Sequence, residues 1–390
     1  MATENNNKTL NVPNLRFPKF RGEWEKYRLK DIANISKERI GISMLSNNNY
    51  ISTENMKSDF GGVDVATNLP ASGNVLKFQQ GDTLLSNIRP YLKKIWQAKF
   101  DGGCSADIFV FRSNMLCNSD FLYYTLANDK FISYAMSGAK GVKMPRGDKE
   151  QILKYELHLP TIIEQNKITS FLSLLDERIA TQIKIIEDLK KLKSAITHLH
   201  FDAAIDKYYS AYIGDCIEQV SQRNKDGKVK EVLSVSNKNG FVNQSEQFED
   251  REIASEDTSN YKVVHTNDFA YNPARINVGS VARLHNYACG IVSPMYICFH
   301  TKPMLLPEYF EHIFSTSYFR HEMHKRLEGS VRLCLTYDSL CNIKIALPSI
   351  DEQKQFVSQI SAIISKIINE DRLLTLYQTL KRYLLSQMFI

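Results

Sequence analysis

Two long stretches of the chain carry apolar residues at heptad-like steps of three, four or seven residues, with polar residues between them. Neither stretch contains proline or glycine, so each predicts a single helix of roughly 38 residues, about 57 Å long. A seam with a 3.5-residue period needs a partner helix, and each stretch is the obvious partner of the other. The predicted packing positions are Ile168, Leu172, Leu175, Ile179, Ile186, Leu189 and Ile196 in the first helix, and Phe356, Ile360, Ile363, Ile367, Leu374, Tyr377 and Leu384 in the second.

The two helices begin with the same motif, which identifies an internal repeat. Leu-Pro-Thr-Ile-Ile-Glu-Gln at 159–165 returns as Leu-Pro-Ser-Ile-Asp-Glu-Gln at 347–353, an offset of 188 residues that then holds without a gap. Thr161 and Ser349 are N-cap candidates, and a glutamate three residues later in each copy predicts a capping box. Two unrelated amphipathic helices would not share a seam and a cap, so the chain is predicted to contain a duplicated unit.

The segments before the two helices repeat more faintly. In each copy a strand region bounded by turn-forming residues (81–90; 267–275) leads to an apolar strand (108–111; 296–299). A short helix (120–136; 307–327) and a loop of glycines and basic residues (137–146; 328–332) follow. These patterns predict an α+β fold of two similar mixed α/β domains, separated by two long helices that pack as an antiparallel coiled coil with a pseudo-twofold repeat. The predicted bounds are 1–14 for a flexible N-terminal segment, 15–158 and 202–346 for the domains, and 159–201 and 347–390 for the helices.

Composition narrows the class of protein. Hydrophobic residues make up 43% and charged residues 24% of the chain, which is typical of a soluble folded protein. No run of about 18 apolar residues predicts a membrane span, and the polar start lacks the apolar stretch of a secretory signal. Seven cysteines without a Cys-x-x-Cys pair favour reduced thiols in the cytoplasm over a disulfide framework or a zinc ribbon. The net charge of +6 fits a nucleic-acid partner but does not identify one.

In its order of domains and helices the sequence resembles the specificity subunits of type I restriction–modification systems. The resemblance covers nearly the whole chain, and its specific part is the duplicated Leu-Pro-x-x-x-Glu-Gln helix start. The opening Pro-Asn-Leu-Arg-Phe-Pro at 13–18, together with Trp24, adds a weaker likeness.

The resemblance implies a division of labour between subunits. Each domain would be a target-recognition domain that reads one half of a split site in double-stranded DNA. The long helices would set the distance between the half-sites and bind two methyltransferase subunits, and restriction subunits would join through that complex. S-adenosylmethionine, ATP and Mg²⁺ would belong to those partners, so this chain would hold no cofactor and no metal. A long helical spacer suits half-sites about one DNA turn apart, roughly 34–36 Å.

Residues that contact DNA are expected on loops that can enter a groove, with cations nearby to hold phosphates. The glycine-and-base loop of each domain has this composition, and so does the end of the preceding strand region. An ordinary solvated turn explains each of these residues about equally well. The DNA-contact candidates are Ser86, Asn87, Arg89, Tyr91, Lys140, Lys143 and Arg146 in the first domain, and Asn272, Arg275, Asn277, Ser330 and Arg332 in the second.

Three patterns resemble catalytic or metal sites, and we predict neither catalysis nor metal binding from them. Tyr-Asn-Pro-Ala at 271–274 lacks the second proline and the aromatic residue of the adenine methyltransferase motif. Glu352 and Lys354 resemble half of a nuclease metal site, but helix capping accounts for the glutamate. Two histidine pairs, spaced by two and by three residues, lack supporting metal ligands. The alternative to a DNA-specificity subunit is a coiled-coil scaffold, which would not need two diverged domains with cationic loops.

Overall fold

The computed structural model describes residues 11–208, 210–237, 239–244, 257–330 and 332–390, without the side chains of 205–207. The described chain divides into two compact units. The first unit comprises residues 11–183 and 372–390, and the second comprises the described part of 184–371. Each unit therefore holds one globular domain and a part of each long helix.

The first unit combines three small antiparallel or mixed sheets with short helices. Its strands are β1 (Glu25–Arg28), β2 (Ala33–Ile35), β3 (Arg39–Gly41), β4 (Tyr50–Ile51), β5 (Asn74–Phe78), β6 (Thr83–Ser86), β7 (Ile95–Gln97), β8 (Gly102–Cys104), β9 (Ile108–Ser113) and β10 (Glu156–Leu159). Its helices are α1 (Leu29–Ile32), α2 (Ser119–Leu126), α3 (Asp129–Ser137), α4 (Lys149–Ile152) and the start of α5 (Ile162–Lys207). The sheets have the strand orders β2–β9–β6–β7, β3–β5–β8–β4 and β1–β10.

The second unit repeats this order of elements. Its strands are β11 (Ser210–Tyr212), β12 (Ile217–Val220), β13 (Val232–Ser236), β14 (Gly240–Asn243), β15 (Lys262–His265), β16 (Phe269–Tyr271), β17 (Val281–Arg283), β18 (Cys289–Val292), β19 (Ile297–Thr301) and β20 (Lys344–Ala346). Its helices are α6 (Ile213–Cys216), α7 (Pro307–Ile313), α8 (Ser317–His324), α9 (Tyr337–Cys341) and the start of α10 (Ile350–Met388). The sheet β12–β19–β16–β17 has the connectivity of β2–β9–β6–β7, and the pair β11–β20 that of β1–β10.

The sheet β3–β5–β8–β4 of the first unit corresponds to β14–β13–β18–β15 of the second. Three strands are equivalent in the two sheets, and the fourth lies at a different edge. Strand β4 runs parallel to β8 in the first unit, as β13 does to β18 in the second. On the other side β5 and β15 run antiparallel to the same strands. The fourth strand lies beside β5 in the first unit and beside β13 in the second. The duplicated fold therefore keeps the centre of this sheet and varies its edge.

Both long helices are uninterrupted, because neither contains a proline or a glycine. Helix α10 has 39 residues, close to the predicted length, but α5 has 46 and continues to Lys207, beyond the predicted end at residue 201. The extension has a packing cause, since Phe201 and Ala204 are both buried in the second unit. No helix in the described ranges is long and apolar enough to cross a membrane.

In the first unit the long helices run antiparallel. The Lys381 ammonium lies 2.5 Å from a carboxylate oxygen of Asp176, and Arg178 Nε donates to the Tyr377 hydroxyl at 3.2 Å. Residue numbers therefore rise along α5 as they fall along α10. The start of α5 and the end of α10 complete the core of the globular domain. Their buried residues in that core are Ile168, Leu172, Leu384, Leu385, Met388 and Phe389.

In the second unit the end of α5 packs against the start of α10. The ring centroids of Phe201 and Phe356 lie 5.4 Å apart, and Ile360 is fully buried in the same cluster. His200 stacks on Phe356 at 4.2 Å, and its Nε2 lies 3.0 Å from the Tyr309 hydroxyl oxygen. Burial of large apolar side chains contributes roughly 1.5–3 kcal/mol each, so these helix ends are anchored in the domains as well as on each other.

The predicted packing positions lie on the inward faces of the two helices. All fourteen are buried or half-buried. Those buried most completely are Ile168, Leu172, Ile186, Phe356, Ile360 and Leu384. The polar residues Gln182 and Glu370, which interrupt the two seams at matching positions, are buried as well.

The glutamine of the helix-start motif ties α5 to the domain beside it. Gln165 is fully buried, and its side-chain oxygen accepts a hydrogen bond from the backbone N–H of Asn118 at 2.8 Å. Its amide donates to the carbonyls of Leu116 at 3.1 Å and Pro160 at 3.0 Å. The side chain thus satisfies three backbone groups in a place where unpaired groups are costly.

The second copy makes the same three bonds. Gln353 is fully buried and bonds to Leu306 N at 2.8 Å, Met304 O at 3.0 Å and Pro348 O at 2.9 Å. The repeated motif is therefore a repeated tertiary contact as well as a helix start.

The predicted capping box forms completely only at the second helix. There the backbone N–H of Ser349 donates to Glu352 at 3.1 Å, and that of Glu352 donates to the Ser349 hydroxyl at 3.4 Å. The Tyr208 hydroxyl donates to the other carboxylate oxygen at 2.9 Å.

At the first helix the prediction of a capping box is half wrong. Thr161 accepts a hydrogen bond from the backbone N–H of Glu164 at 3.4 Å. The carboxylate of Glu164 instead accepts two bonds from Arg16, at 2.7 and 2.8 Å. An arginine placed opposite a buried carboxylate outcompetes a backbone N–H, because charge-assisted bonds are the stronger ones.

Two further predictions need correction. The single short helix predicted in each domain is a pair of helices, because Asn128 and Thr316 cap new helix starts by accepting from the N–H of Lys130 and Phe319. The N-terminal segment predicted as flexible is packed from residue 11 onward, with Pro13 buried and Leu15 N–H donating to the carbonyl of Gln387 at 3.0 Å. Residues 1–10 of that segment lie outside the described residues.

Candidate nucleic-acid interface

The glycine-and-base loop of the first unit is a short β-hairpin. Lys140 and Arg146 pair across it by two backbone hydrogen bonds of 2.9 Å. Gly141 turns the chain with a φ of +97°, a conformation that side chains other than glycine rarely adopt. We call residues 140–146 the first hairpin.

The loop of the second unit has the same frame. Glu328 and Cys334 pair by two backbone hydrogen bonds of 3.0 and 2.8 Å, and Gly329 has a φ of +125°. Both the pairing residues and the glycine stand 188 positions after their counterparts. We call residues 328–334 the second hairpin; Val331, within it, lies outside the described residues.

The first hairpin is docked on the strand-end loop that the sequence also singled out. Arg89 N–H donates to the carbonyl of Pro145 at 2.8 Å, and Gly147 N–H donates to the carbonyl of Asn87 at 3.1 Å. Ile88 and Arg146 form a β-bridge between these bonds. The structure therefore brings the two predicted segments of the first domain into one surface.

The second hairpin is docked in the corresponding way. Leu335 N–H donates to the carbonyl of Pro273 at 3.1 Å, which matches the bond between Gly147 and Asn87. The Tyr271 hydroxyl donates to the carbonyl of Leu335 at 3.2 Å. Each unit thus presents a glycine-hinged hairpin. The hairpin is supported by the loop that follows β6 in the first unit and β16 in the second.

The cations of the first hairpin have different roles. Lys140 Nζ lies 2.7 Å from Asp148 Oδ2, and Arg146 lies 2.9 Å from Asp107 Oδ1. The hydrogen bond between Lys140 and Asp148 raises the pKa of the ammonium and lowers that of the carboxyl group, which also accepts from backbone N–H groups. Lys143 is exposed, and among the described residues no ion pair involves it. Two of the three predicted DNA cations therefore pair with aspartates beside the hairpin.

Arg89 and Tyr91 lie on the supporting loop. Arg89 adopts a left-handed backbone with a φ of +50°, and its Nε is buried without a hydrogen-bond partner, as is Oδ1 of Asn87. Tyr91 is about half exposed. Strained backbone and unsatisfied buried polar atoms are concentrated at functional sites, so this loop is a better candidate than its composition alone indicated.

Four predicted residues of the second unit are exposed side chains on the hairpin and its support. They are Arg275, Asn277, Ser330 and Arg332. Among the described residues no ion pair involves either arginine, so both guanidinium groups face solvent.

Two of the predicted DNA-contact residues, Ser86 and Asn272, are buried. Ser86 is 1% exposed and donates its hydroxyl to the carbonyl of Ile88 at 3.0 Å. Asn272 is 8% exposed and accepts from the N–H of Ala274 at 3.1 Å. Ser86 ends β6 and Asn272 directly follows β16, and the side chain of each bonds to the backbone of the following turn.

Two features of this surface escaped the sequence analysis. Val142 is fully exposed and Met144 is half exposed at the tip of the first hairpin, and an apolar residue in a loop gives no sequence signal for DNA contact. Asp59, Phe60 and Lys93 share the left-handed backbone of Arg89, and Asp59 and Phe60 donate to the carbonyls of Leu92 and Lys93. Non-glycine residues at positive φ carry no sequence signature, so only the structure could identify this strained patch.

The two residues that resemble half of a nuclease metal site have structural roles. Glu352 accepts from Ser349 and Tyr208, and Lys354 lies 3.6 Å from Asp351. Within the described residues, no group of three or more His, Cys, Asp or Glu side chains is placed to hold a metal ion.

Part of the sequence is similar to known proteins. Residues 21–191, which include the first hairpin, match the sequence model of the type I restriction modification DNA specificity domain. A stretch of 92 residues, 24% of this chain, is 29% identical to the type I restriction enzyme EcoDI specificity subunit of Escherichia coli. That stretch spans only 20% of the length of this curated relative.

Solved structures match nearly the whole chain. One is the S subunit of a type I restriction–modification system from M. genitalium, with a TM-score of 0.59 and 15% identity over 97% of this chain and 99% of that one. Another comes from work on complex assembly and conformational transition of the type I R-M system, with a TM-score of 0.57 and 16% identity over 94% of this chain and 97% of that one. Residues 21–191 are therefore similar to the type I restriction modification DNA specificity domain, and the chain as a whole shares its fold with these two solved structures.

Proposed function

We propose that this chain is the DNA sequence-specificity subunit of a type I restriction–modification complex and that it reads a bipartite DNA target. The observation that carries the proposal is the duplicated hairpin. The same glycine-hinged frame occurs at 140–146 and 328–334. It is docked on the equivalent loop of each unit and displays different side chains. A shared frame with diverged tips suits two readers of unlike half-sites.

The proposal assigns the chemistry to partner subunits. Two methyltransferase subunits would bind this chain and carry S-adenosylmethionine, and restriction subunits would join with ATP and Mg²⁺. The chain itself would be non-catalytic and would hold no cofactor. Its own contribution would be placement, since direct readout depends on rigid groups that meet base edges in a groove.

The first test measures which subunits the complex contains and in what ratio. The chain would be co-expressed with the products of its neighbouring genes, and any complex would be measured by size-exclusion chromatography with light scattering. We expect one copy of this chain with two copies of the methyltransferase. A chain that binds neither the methyltransferase nor duplex DNA would overturn the proposal.

The second test separates a DNA reader from a scaffold. Lys143→Gln and Arg332→Gln remove exposed cations that no described ion pair holds. A DNA reader would lose affinity for duplex DNA, and the slope of log K against log salt would become shallower by about one per lost phosphate contact. A coiled-coil scaffold would keep every partner and show no change in either measurement.

A further inference from the structure

The tip of the first hairpin is apolar, although the loop was predicted to contact DNA because of its basic residues. Val142 and Met144 project into solvent on either side of Lys143. Lys140 and Arg146, at the base, are held by Asp148 and Asp107. The exposed end of the hairpin therefore offers two apolar side chains around a single cation.

The base of the hairpin is rigid. Two backbone bonds close it, two more dock it on the loop of Arg89, and two ion pairs flank it. A Cβ on Gly141 would come within 3.3 Å of the Met144 carbonyl oxygen, so the turn at the tip is close-packed. Val142 and Met144 are exposed on this frame, on a hairpin that is docked on the strained loop of Arg89, so both are available to a ligand that the hairpin meets.

We propose that Val142 and Met144 contact base edges in the major groove, with Lys143 on a flanking phosphate, and that Lys140 and Arg146 are positioning residues. This inference rests on the proposed function and names the part of the first unit that reads sequence. A two-stranded β-ribbon fits the major groove, and the only apolar group displayed there is the thymine C5-methyl. Lys143 supplies the charge that a purely apolar protein-binding patch would not need.

The proposal makes a specific statement about sequence. The base pairs that the first hairpin reads include an A·T pair whose thymine methyl meets Val142 or Met144. The second hairpin carries Ser330 and Arg332 in place of Val142 and Met144 at the same frame positions. Substitutions at the first tip should therefore affect one half-site and leave the other unchanged.

The experiment is selection of duplexes from a randomised library by the chain in complex with its methyltransferase. Wild type would be compared with Val142→Ala, Met144→Ala, Lys143→Gln and a control, Met115→Ala, which removes an equally exposed side chain elsewhere in the same unit. We expect Val142→Ala and Met144→Ala to lose preference at one or two adjacent A·T positions of one half-site. Lys143→Gln should weaken all sequences alike, and Met115→Ala should match wild type.

A second measurement tests the thymine methyl directly. Each thymine at a Val142- or Met144-dependent position is replaced by deoxyuridine, which removes only that methyl group. We expect wild type to lose about 5- to 30-fold in affinity at one position, in keeping with about 1–2 kcal/mol for an apolar contact, and the matching alanine variant to lose nothing further.

The outcomes separate the two proposals. Absence of any selected consensus in wild type overturns the proposed function and this inference with it. A bipartite consensus that Val142→Ala and Met144→Ala leave intact overturns only the inference, as does dependence confined to G·C pairs or indifference to deoxyuridine. Because the tip side chains are exposed, none of these variants should unfold, and thermal denaturation would verify this.

Discussion

Arg16 and Glu164, 148 residues apart in the chain, form a two-bonded ion pair at the start of the first long helix. Glu164 is almost fully buried and Arg16 is largely so. The hydrogen bond to Glu164 raises the pKa of the arginine further above its usual value, against a smaller opposing effect of burial. The pair therefore fastens the N-terminal segment to the helix start, in the place where the second copy uses an uncharged tyrosine hydroxyl.

Removing either partner of this pair should cost more than the corresponding change in the second unit. Arg16→Ala leaves a buried carboxylate without its counter-charge, and we expect a loss of about 3–5 kcal/mol in the free energy of unfolding. Tyr208→Phe removes one hydrogen bond to Glu352, and we expect about 1–2 kcal/mol. Urea unfolding of the two variants tests this ranking, and equal losses would contradict it.

The two motif glutamines should be equally intolerant of apolar replacement. Gln165→Leu and Gln353→Leu each leave a backbone N–H and two carbonyls buried without partners, at about 1–3 kcal/mol per group. Hydrogen exchange should quicken at the amide of Asn118 in the first variant and of Leu306 in the second. Gln182→Leu is the control, since it also replaces a buried glutamine of α5 but not one that follows a helix start; fast exchange at Asn118 there would argue against the assignment.

Equivalent aspartates of the two units should respond oppositely to neutralisation. Asp82 binds Arg112 through two bonds of 2.9 and 2.8 Å, so Asp82→Asn should lose about 1.5–3 kcal/mol at pH 7. Burial raises the pKa of Asp268, against the hydrogen bond from the N–H of His265. The folded state therefore holds that proton more tightly than the unfolded chain, and stability falls as pH rises through the folded pKa.

Asp268→Asn removes this penalty. It should be more stable than wild type at pH 7, and the difference should shrink as pH is lowered toward the ordinary aspartate pKa of about 3.9. Urea unfolding at pH 7 and near pH 4 measures both variants. An Asp268→Asn protein whose advantage grows in acid would show that the sign is wrong.

Alanine should be tolerated worse at the hinge of the second hairpin than at that of the first. A Cβ on Gly329 would stand 2.3 Å from the Arg332 carbonyl oxygen, whereas on Gly141 the nearest backbone atom is 3.3 Å away. Both positions also carry left-handed backbone strain of about 1–2 kcal/mol. Gly62→Ala, at a φ of +85° with open space around it, isolates that strain. DNA affinity should fall most for Gly329→Ala, less for Gly141→Ala and not at all for Gly62→Ala.

Local pattern predicted much of this molecule, and long-range pairing accounts for what it missed. The period of Ile168, Leu172 and their counterparts predicted both helices, because a seam is a property of neighbouring residues in sequence. The glycine of each hairpin could likewise be identified from the local sequence. The pairing of Lys140 with Asp148 and of Glu164 with Arg16, and the burial of Ser86, depend on which segments the fold brings together. Composition therefore located both hairpins, but it could not show that Lys140 and Arg146 pair with aspartates while Lys143 does not.

The division of the first hairpin into a fixed base and a projecting tip bears on how such a protein can change over generations. Residues 142–144 are all exposed, while the bonds that hold the base come from backbone groups and from side chains outside the tip. Mutations at these three positions can therefore accumulate with little penalty to folding. Under the proposed function, a lineage could acquire a new target sequence by drift at the tip while the rest of the unit stayed under unchanged selection.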